Sequence, residues 1–319
     1  MSELRDDLGF SSVNDCPAVI YIFQIVDRAA VPVDPRRENF VDYLAEEMKV
    51  LAFTLMDRND LDEKEIPFIG AGFPAPVDPG KGLILLTPNL PLTMAPIVEV
   101  FKKHCNIPLL IGNDANCAAF GEYHAGAGRD IRSMAMLTLG TGVGSGVVLD
   151  GKLYTGCNGT AAEAGHVLVK IDGRQCGCGR KGCLEAYASA TALRRDTINA
   201  MLETPNSLLW DEAGGSLDRV TGETPFDAMH RGDEAAQKVV ANYIHYLAQG
   251  IVNLINVLQP ELVCLGGGVS NASEEDLYLP LRKEVNEYTM AKFSPIKTRI
   301  ERAVLGNNAG IIGAALLGL

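Results

Sequence analysis

Apolar residues along this chain fall into two alternating patterns: short unbroken runs of strand length, and longer stretches that carry a single apolar stripe. That alternation is what α/β domains produce. From Asn39 to Met56, the residues Phe40, Tyr43, Leu44, Met48, Leu51, Ala52 and Leu55 share one side of a helix. After a polar connector, Ile66 to Gly72 reads as a strand. A second unit has a helix from near Ala95 to His104, a strand over Pro108 to Gly112, and a helix that starts at Asp114 and contains Ala118, Ala119 and Tyr123. Two apolar strands, Ser133 to Leu139 and Val143 to Leu149, follow, joined by a glycine-rich turn. Beyond Cys183 the pattern is mostly helical. Helices are expected over Ala190 to Leu202 and Glu234 to Leu258, the second stopped before Pro260, a residue that cannot continue a helix. Leu262 to Leu265 is a buried strand followed by Gly266 to Gly268, and Asn206 to Glu223, rich in Gly, Ser and Asp, reads as a loop.

Composition narrows the partners. With 319 residues, 47% of them hydrophobic, the chain can bury a large core and is long enough for two lobes. Against 28 Lys plus Arg stand 40 Asp plus Glu, a net charge of -12 that repels phosphate backbones and anionic lipid. Neither nucleic acid nor a membrane is expected as a partner. The apolar run Ala18 to Phe23 is too short to span a bilayer, and no targeting segment is visible. Eight cysteines in such a chain point to a reducing compartment, so the expected location is the cytoplasm.

Three motifs could carry chemistry. Cys176-Gly-Cys178-Gly-Arg-Lys-Gly-Cys183, with His166 ten residues upstream, offers three thiolates and an imidazole, a closed tetrahedral set for structural zinc. Free cysteines in a glycine-rich loop are the bland alternative. The cysteines at 16, 105, 117, 157 and 264 lie in apolar contexts that suggest core packing. Leu139-Gly140-Thr141-Gly142-Val143-Gly144-Ser145-Gly146 lies between two strands. Its alternate glycines leave backbone N–H groups unobstructed for phosphate oxygens, although a plain tight turn has the same composition. It is neither a Walker loop nor a dinucleotide fingerprint. Gly266-Gly267-Gly268 could likewise admit a phosphate or a flat ring. In Gly112-Asn113-Asp114-Ala115-Asn116, Asp114 could take a proton from a substrate hydroxyl that Asn113 orients, or the pair could simply cap a helix. Glu163 and Glu185 flank the cysteine knuckle, and clustered carboxylates and amides suit the hydroxyls of a neutral polyol. The other four histidines read as surface or core residues without partners.

These motifs, in order, resemble the ROK family of sugar kinases and sugar-responsive repressors. The resemblance is carried by Ile69-Gly-Ala-Gly72-Phe-Pro74-Ala-Pro76-Val-Asp78, Pro88-Asn89-Leu90, Asn113-Asp114-Ala-Asn116, the 139–146 turn, Glu163-Ala-Gly-His166, the knuckle with Leu184-Glu185-Ala-Tyr187, Leu265-Gly-Gly-Gly268 and Asn308-Ala-Gly-Ile-Ile-Gly313. It implies an actin-like ATPase fold, related to ribonuclease H, of two α/β lobes with a cleft between them. The small lobe would be 1–115 plus 305–319, and the large lobe, with the zinc knuckle, 116–304. It further implies ATP-dependent phosphorylation of a hexose, glucose first, at O6. Asp114 would be the general base, and Asn89, Asn113, Glu163, His166 and Glu185 the sugar contacts. Gly140, Thr141, Gly142 and Gly144 would hold phosphates, Gly266, Gly267 and Gly268 the adenosine end, and Asp7 the magnesium that accompanies ATP. His166, Cys176, Cys178 and Cys183 would hold zinc, and a homodimer through the larger lobe is implied. One departure is specific: in Asp7-Leu8-Gly9-Phe10-Ser11-Ser12, Phe10 replaces a glycine of the family's first phosphate loop, which would obstruct phosphate and leave a sugar-binding regulator without catalysis.

Overall fold

The computed structural model describes residues 18–21, 24–87 and 90–319. In chain order the strands and helices are β1 (Ala18–Tyr21), β2 (Gln24–Arg28), α1 (Phe40–Arg58), β3 (Ile69–Phe73), β4 (Val77–Asp78), β5 (Leu83–Leu86), β6 (Thr93–Ala95), α2 (Ile97–His104), β7 (Leu109–Asn113), α3 (Asp114–Ala125), β8 (Ser133–Leu139), β9 (Val143–Leu149), β10 (Lys152–Leu153), α4 (Glu185–Ala188), α5 (Ala190–Glu203), α6 (Leu209–Glu212), α7 (Thr224–His230), α8 (Glu234–Leu258), β11 (Leu262–Gly266), α9 (Leu279–Tyr288), β12 (Arg299–Arg302) and α10 (Asn308–Ala315). They fall into two compact units. One takes in the described residues up to Asp130 together with Gly146–Ala162 and Val304–Leu319, and the other Ile131–Ser145 with Glu163–Ala303. The change of unit falls inside β9, and α3 belongs to the first unit, whereas the expected lobe boundary, between 115 and 116, cuts its first turn.

In the first unit β3 and β7 pair in parallel, with Gly72 opposite Gly112 and Phe73 opposite Asn113. The helix that follows β7 therefore begins beside the end of β3. Helix α1 buries Phe40, Leu44, Leu51 and Leu55, on the stripe its periodicity predicts, and Phe40 and Leu44 join a core that includes Phe73, Ile84, Leu92, Ile97, Phe101 and Ile111. Between them β4, β5 and β6 form a small antiparallel meander. Helices α3 and α10 cross backbone to backbone. A Cβ on Gly313 would lie 1.6 Å from the Cys117 carbonyl oxygen, and one on Gly121 would lie 2.2 Å from that of Ala309. Beneath the crossing, the fully buried Glu122 accepts from the N–H groups of Ala127 (3.0 Å) and Leu305 (2.7 Å), which satisfies both of its oxygens.

In the second unit β8, β11 and β12 are parallel, with β11 between its neighbours and buried along its length. That is the unbroken apolar run a doubly covered parallel strand needs. Helix α8 starts where Asp233 caps the N–H of Ala236 at 2.7 Å, and ends at Gln259, in the left-handed region at φ 44°, just before Pro260. The segment Asn206–Glu223, expected as a loop, holds α6 and a single helical turn. Leu209, Ala213 and Val220 are buried there with Met201, Ala228 and Ala236 in a satellite core. Its Gly, Ser and Asp residues mark the turns between elements too short to show a period. Among the remaining cysteines, 105, 117 and 264 are buried as expected, whereas Cys157 is exposed, and Cys16 lies outside the described residues. Three histidines read as lacking partners have carboxylates: His104 with Asp42 (3.0 Å), His230 with Asp276 (2.7 Å) and His245 with Glu284 (2.5 Å). His124 instead meets the Phe120 ring edge-on. Among the described residues, no helix is long and apolar enough to cross a membrane.

Candidate functional site

The candidate base sits in the first unit, where β7 runs directly into α3. Asn113 is extended (φ −70°, ψ 145°) and its Oδ1 accepts the N–H of Asn116 at 3.1 Å, so Asn113 is the helix cap. The capping role proposed for the pair thus belongs to Asn113. Its amide also donates to the Ala75 carbonyl (3.3 Å) and to Asp114 Oδ1 (3.1 Å), and that oxygen accepts the N–H of Ala115 at 2.8 Å as well. These two donors and the positive end of α3 face that carboxylate. Behind it Cys117, fully buried, packs against Gly112 and Gly72, and burial together with the Asp114 charge pushes its thiol far above the ordinary range. Asn116, quoted in the motif without a role, is 4% exposed, and its Oδ1 has no partner among the described residues.

In the second unit the 140–144 turn joins β8 to β9. Gly140 N–H closes it on the Gly142 carbonyl (3.1 Å), and Val143 N–H donates to Glu185 Oε2 (3.1 Å). The N–H groups of Thr141 and Gly142 have no acceptor among the described residues. Those are the two backbone donors the turn leaves unpaired there. Gly144 lies within β9, so its contribution to such a cradle is as part of the strand. A Cβ at Gly140 or Gly268 would meet nothing within 4 Å, whereas one at Gly267, which has φ +85°, would press to 2.6 Å from the Leu139 backbone. Gly267 is thus required by the fold, and Gly140 and Gly268 leave open space.

The predicted ligands converge. One ligand atom from each of His166, Cys176, Cys178 and Cys183 lies within 4.8 Å of the others. Cys178 Sγ is 3.6 Å from Cys183 Sγ, and Cys176 Sγ is 3.7 Å from His166 Nδ1. The edge of a zinc tetrahedron with bonds of about 2.3 Å to sulfur is about 3.8 Å, and these two contacts match it, so the donor set suits that ion. Burial pushes the Cys176 thiol up to about 12. Cys178, the exposed member, goes the other way: burial is the largest single influence and raises it, but the Arg180 N–H, the neighbouring thiols and the Arg180 charge together bring it below its ordinary value. It is the thiol most ready to ionise. Backbone turns set the spacing, with Cys176 N–H on the Arg180 carbonyl (2.8 Å) and Gly179 N–H on that of Cys176 (3.1 Å).

Glu163 and His166 bracket one helical turn of Ala164–His166. Ala164 N–H donates to Ser145 Oγ at 2.7 Å, and a Cβ on Gly165 would lie 2.0 Å from the Val143 carbonyl oxygen. The first three residues of β9 thus hold this turn on one side and Glu185 on the other. Nothing in the sequence marked Ser145 for that role. Within the second unit the structure brings together the cluster, Glu185 and the 140–144 turn; Asn113 and Asp114 belong to the first unit. Asn89 and Asp7 lie outside the described residues.

The mixed α/β units have the actin-like fold of the solved structures they match. The ROK family model matches residues 29–319, and the chain belongs to the ROK family. It is 38% identical over 255 residues to a glucokinase from Thermotoga maritima, covering 80% of each chain. It is 29% identical to a xylose repressor from Caldicellulosiruptor bescii, covering 84% of this chain and 67% of the repressor. Among solved structures, a ROK glucokinase from Streptomyces griseus in complex with glucose and AMPPNP superposes with a TM-score of 0.77 at 31% identity, covering 94% of each chain.

Proposed function

We propose that this protein is a sugar kinase that transfers the γ-phosphoryl group of ATP to O6 of a hexose, glucose first. The likeness to glucokinases over four-fifths of the chain supports the activity, and the Asn113–Asp114 arrangement at the head of α3 is the observation that carries the mechanism. In this reading Asp114 takes the O6 proton as that oxygen attacks the γ-phosphorus. The new P–O bond forms as the bond to the bridging oxygen breaks, and ADP leaves. Asn113 orients the hydroxyl, while Asn89, Glu163, His166 and Glu185 hold the others. Magnesium bound with ATP, near Asp7, supplies neutralisation of phosphate charge. The Thr141 and Gly142 N–H groups cradle phosphate oxygens, and Gly266–Gly268 let the adenosine end approach. Zinc held by His166, Cys176, Cys178 and Cys183 is structural, with no ligand position left for reacting water. Nδ1 of His166 faces Cys176, leaving Nε2 for a sugar hydroxyl. The working protein is a cytoplasmic homodimer.

A second reading is a sugar-binding regulator of the same family. Phe10 in place of a phosphate-loop glycine and the likeness to the xylose repressor favour it. ADP release with Mg-ATP across hexoses and N-acetylhexosamines separates the two. The kinase reading expects turnover with one sugar, lost by about 100-fold or more in Asp114→Asn while sugar binding persists. Silence across the panel, from protein that binds a sugar, transfers the assignment to the regulator.

A further inference from the structure

The chain that leaves the Cys3His cluster becomes the support of the glycine turn within eight residues. Cys183 is followed by α4 and the start of α5, and this short segment makes three bonds to the turn. Glu185 Oε2 accepts Val143 N–H (3.1 Å), Ala190 N–H donates to the Gly140 carbonyl (2.8 Å), and Thr191 Oγ1 donates to the Thr141 carbonyl (2.8 Å). The other oxygen of Glu185 lies 3.4 Å from Cys176 Sγ, a contact that uses the S–H of a metal-free cysteine, so the tie between a metal-loaded cluster and the turn is the chain from Cys183 through Glu185 to Thr191. The fit is close. A Cβ on Gly142 would lie 2.4 Å from Glu185 Oε2, which gives that glycine a reason besides phosphate access. With the carbonyls of 140 and 141 and the N–H groups of 140 and 143 engaged, the backbone donors of residues 140–143 left to an anion are the Thr141 and Gly142 N–H groups. Their direction is set by the strap.

We infer that Glu185, with Thr191, is a positioning device that couples the Cys3His cluster to the 140–144 turn, so that zinc and nucleotide strengthen each other's binding. This rests on the proposed phosphate role of the turn. A cluster without its ion loses the cross-link that fixes residues 176–183. The strap then shifts, and the two phosphate-facing N–H groups lose their alignment. Coupling of this kind between two sites is reciprocal.

The test is a linkage cycle without sugar, read as affinities rather than turnover. Calorimetry gives the Mg-ADP dissociation constant of zinc-loaded and chelator-stripped protein, and a chromophoric chelator gives zinc affinity of loaded protein with and without saturating Mg-ADP. Stripping is expected to weaken Mg-ADP about tenfold, and Mg-ADP to tighten zinc by the same factor, within the usual span of coupling energies. Thr191→Val, which removes only the hydroxyl donor, and Glu185→Ala should each bring both factors toward one while circular dichroism stays native. Circular dichroism shows whether the stripped protein stays folded; where it unfolds, the decision rests on whether the two variants lower the Mg-ADP effect on zinc affinity relative to wild type. Mg-ADP binding equally with and without zinc, or equal coupling in the strap variants, overturns the inference alone. Zinc-loaded protein that binds no Mg-ADP overturns the phosphate reading of the turn, and the inference with it.

Discussion

Replacing Gly313 by alanine tests whether the crossing of α3 and α10 places the candidate base. The new Cβ would lie 1.6 Å from the Cys117 oxygen, 2.5 Å from its carbonyl carbon and 2.8 Å from Gly121 N. All three are backbone atoms, so no rotamer change relieves the clash. Ordinary contact begins at about 3.5 Å, so the helices must part by roughly 1.5–2 Å. Overpacking of this kind costs about 1–3 kcal/mol, and alanine's better helix propensity returns only about 1 kcal/mol. A contact so short, with rigid partners, belongs at the upper end, for a net loss of about 2 kcal/mol. The same helix supplies the control. A Cβ on Gly310 meets nothing within 4 Å, so Gly310→Ala should be neutral or stabilising by up to about 1 kcal/mol. Urea denaturation of both variants measures the difference. Because Asp114 is the first residue of α3, Gly313→Ala should also lower kcat by about 100-fold, the effect of misplacing a catalytic group by about 1 Å. Equal stability of the two variants would refute the crossing as a close-packed contact. A destabilised Gly313→Ala that turns over normally would refute its link to the site.

Chelating zinc, or changing Cys178→Ser, should lower the melting temperature and weaken sugar binding together, because the cluster fixes His166 and the chain leading to Glu185. Unchanged sugar binding in metal-free protein, measured by calorimetry, would remove both residues from the sugar site. Asp233→Ala should cost about 2 kcal/mol or more, since the carboxylate caps α8 through Ala236 N–H and also accepts from Leu208 N–H (2.7 Å) and Ser207 Oγ (2.9 Å). Burial raises the pKa of this group, but the three donors outweigh burial and hold it below the ordinary 3.8. A depressed folded pKa gives stability that is present above the ordinary value and lost as pH falls through the folded one. The gap in melting temperature between wild type and Asp233→Ala should therefore narrow from pH 7 to below pH 4; a constant gap would mean the cap acts uncharged.

The elements that match their sequence reading residue for residue are β8, β9 and α8, long apolar runs or stripes bounded by Gly, Asp and Pro. Strands β4, β5, β6 and β12 escaped it because two to four residues show no usable period; in β12 only Ile300 is buried. Helix α9 escaped it because it buries just Leu281 and Val285 and carries a proline in its first turn. The same physics divides the candidate site. Four ligands within eighteen residues are legible because thiolates and imidazoles in glycine-rich spacing have few other uses. The bond from Val143 N–H to Glu185 is not, because 42 residues separate them and a backbone donor leaves no mark on residue type. Glycine is the hardest letter of all. Gly140 faces open space, Gly142 makes room for a carboxylate and Gly313 makes room for a helix, three reasons written identically. Only the distance from a hypothetical Cβ to its neighbour separates a glycine kept for a ligand from one kept for the fold, and that distance exists only once the chain has folded.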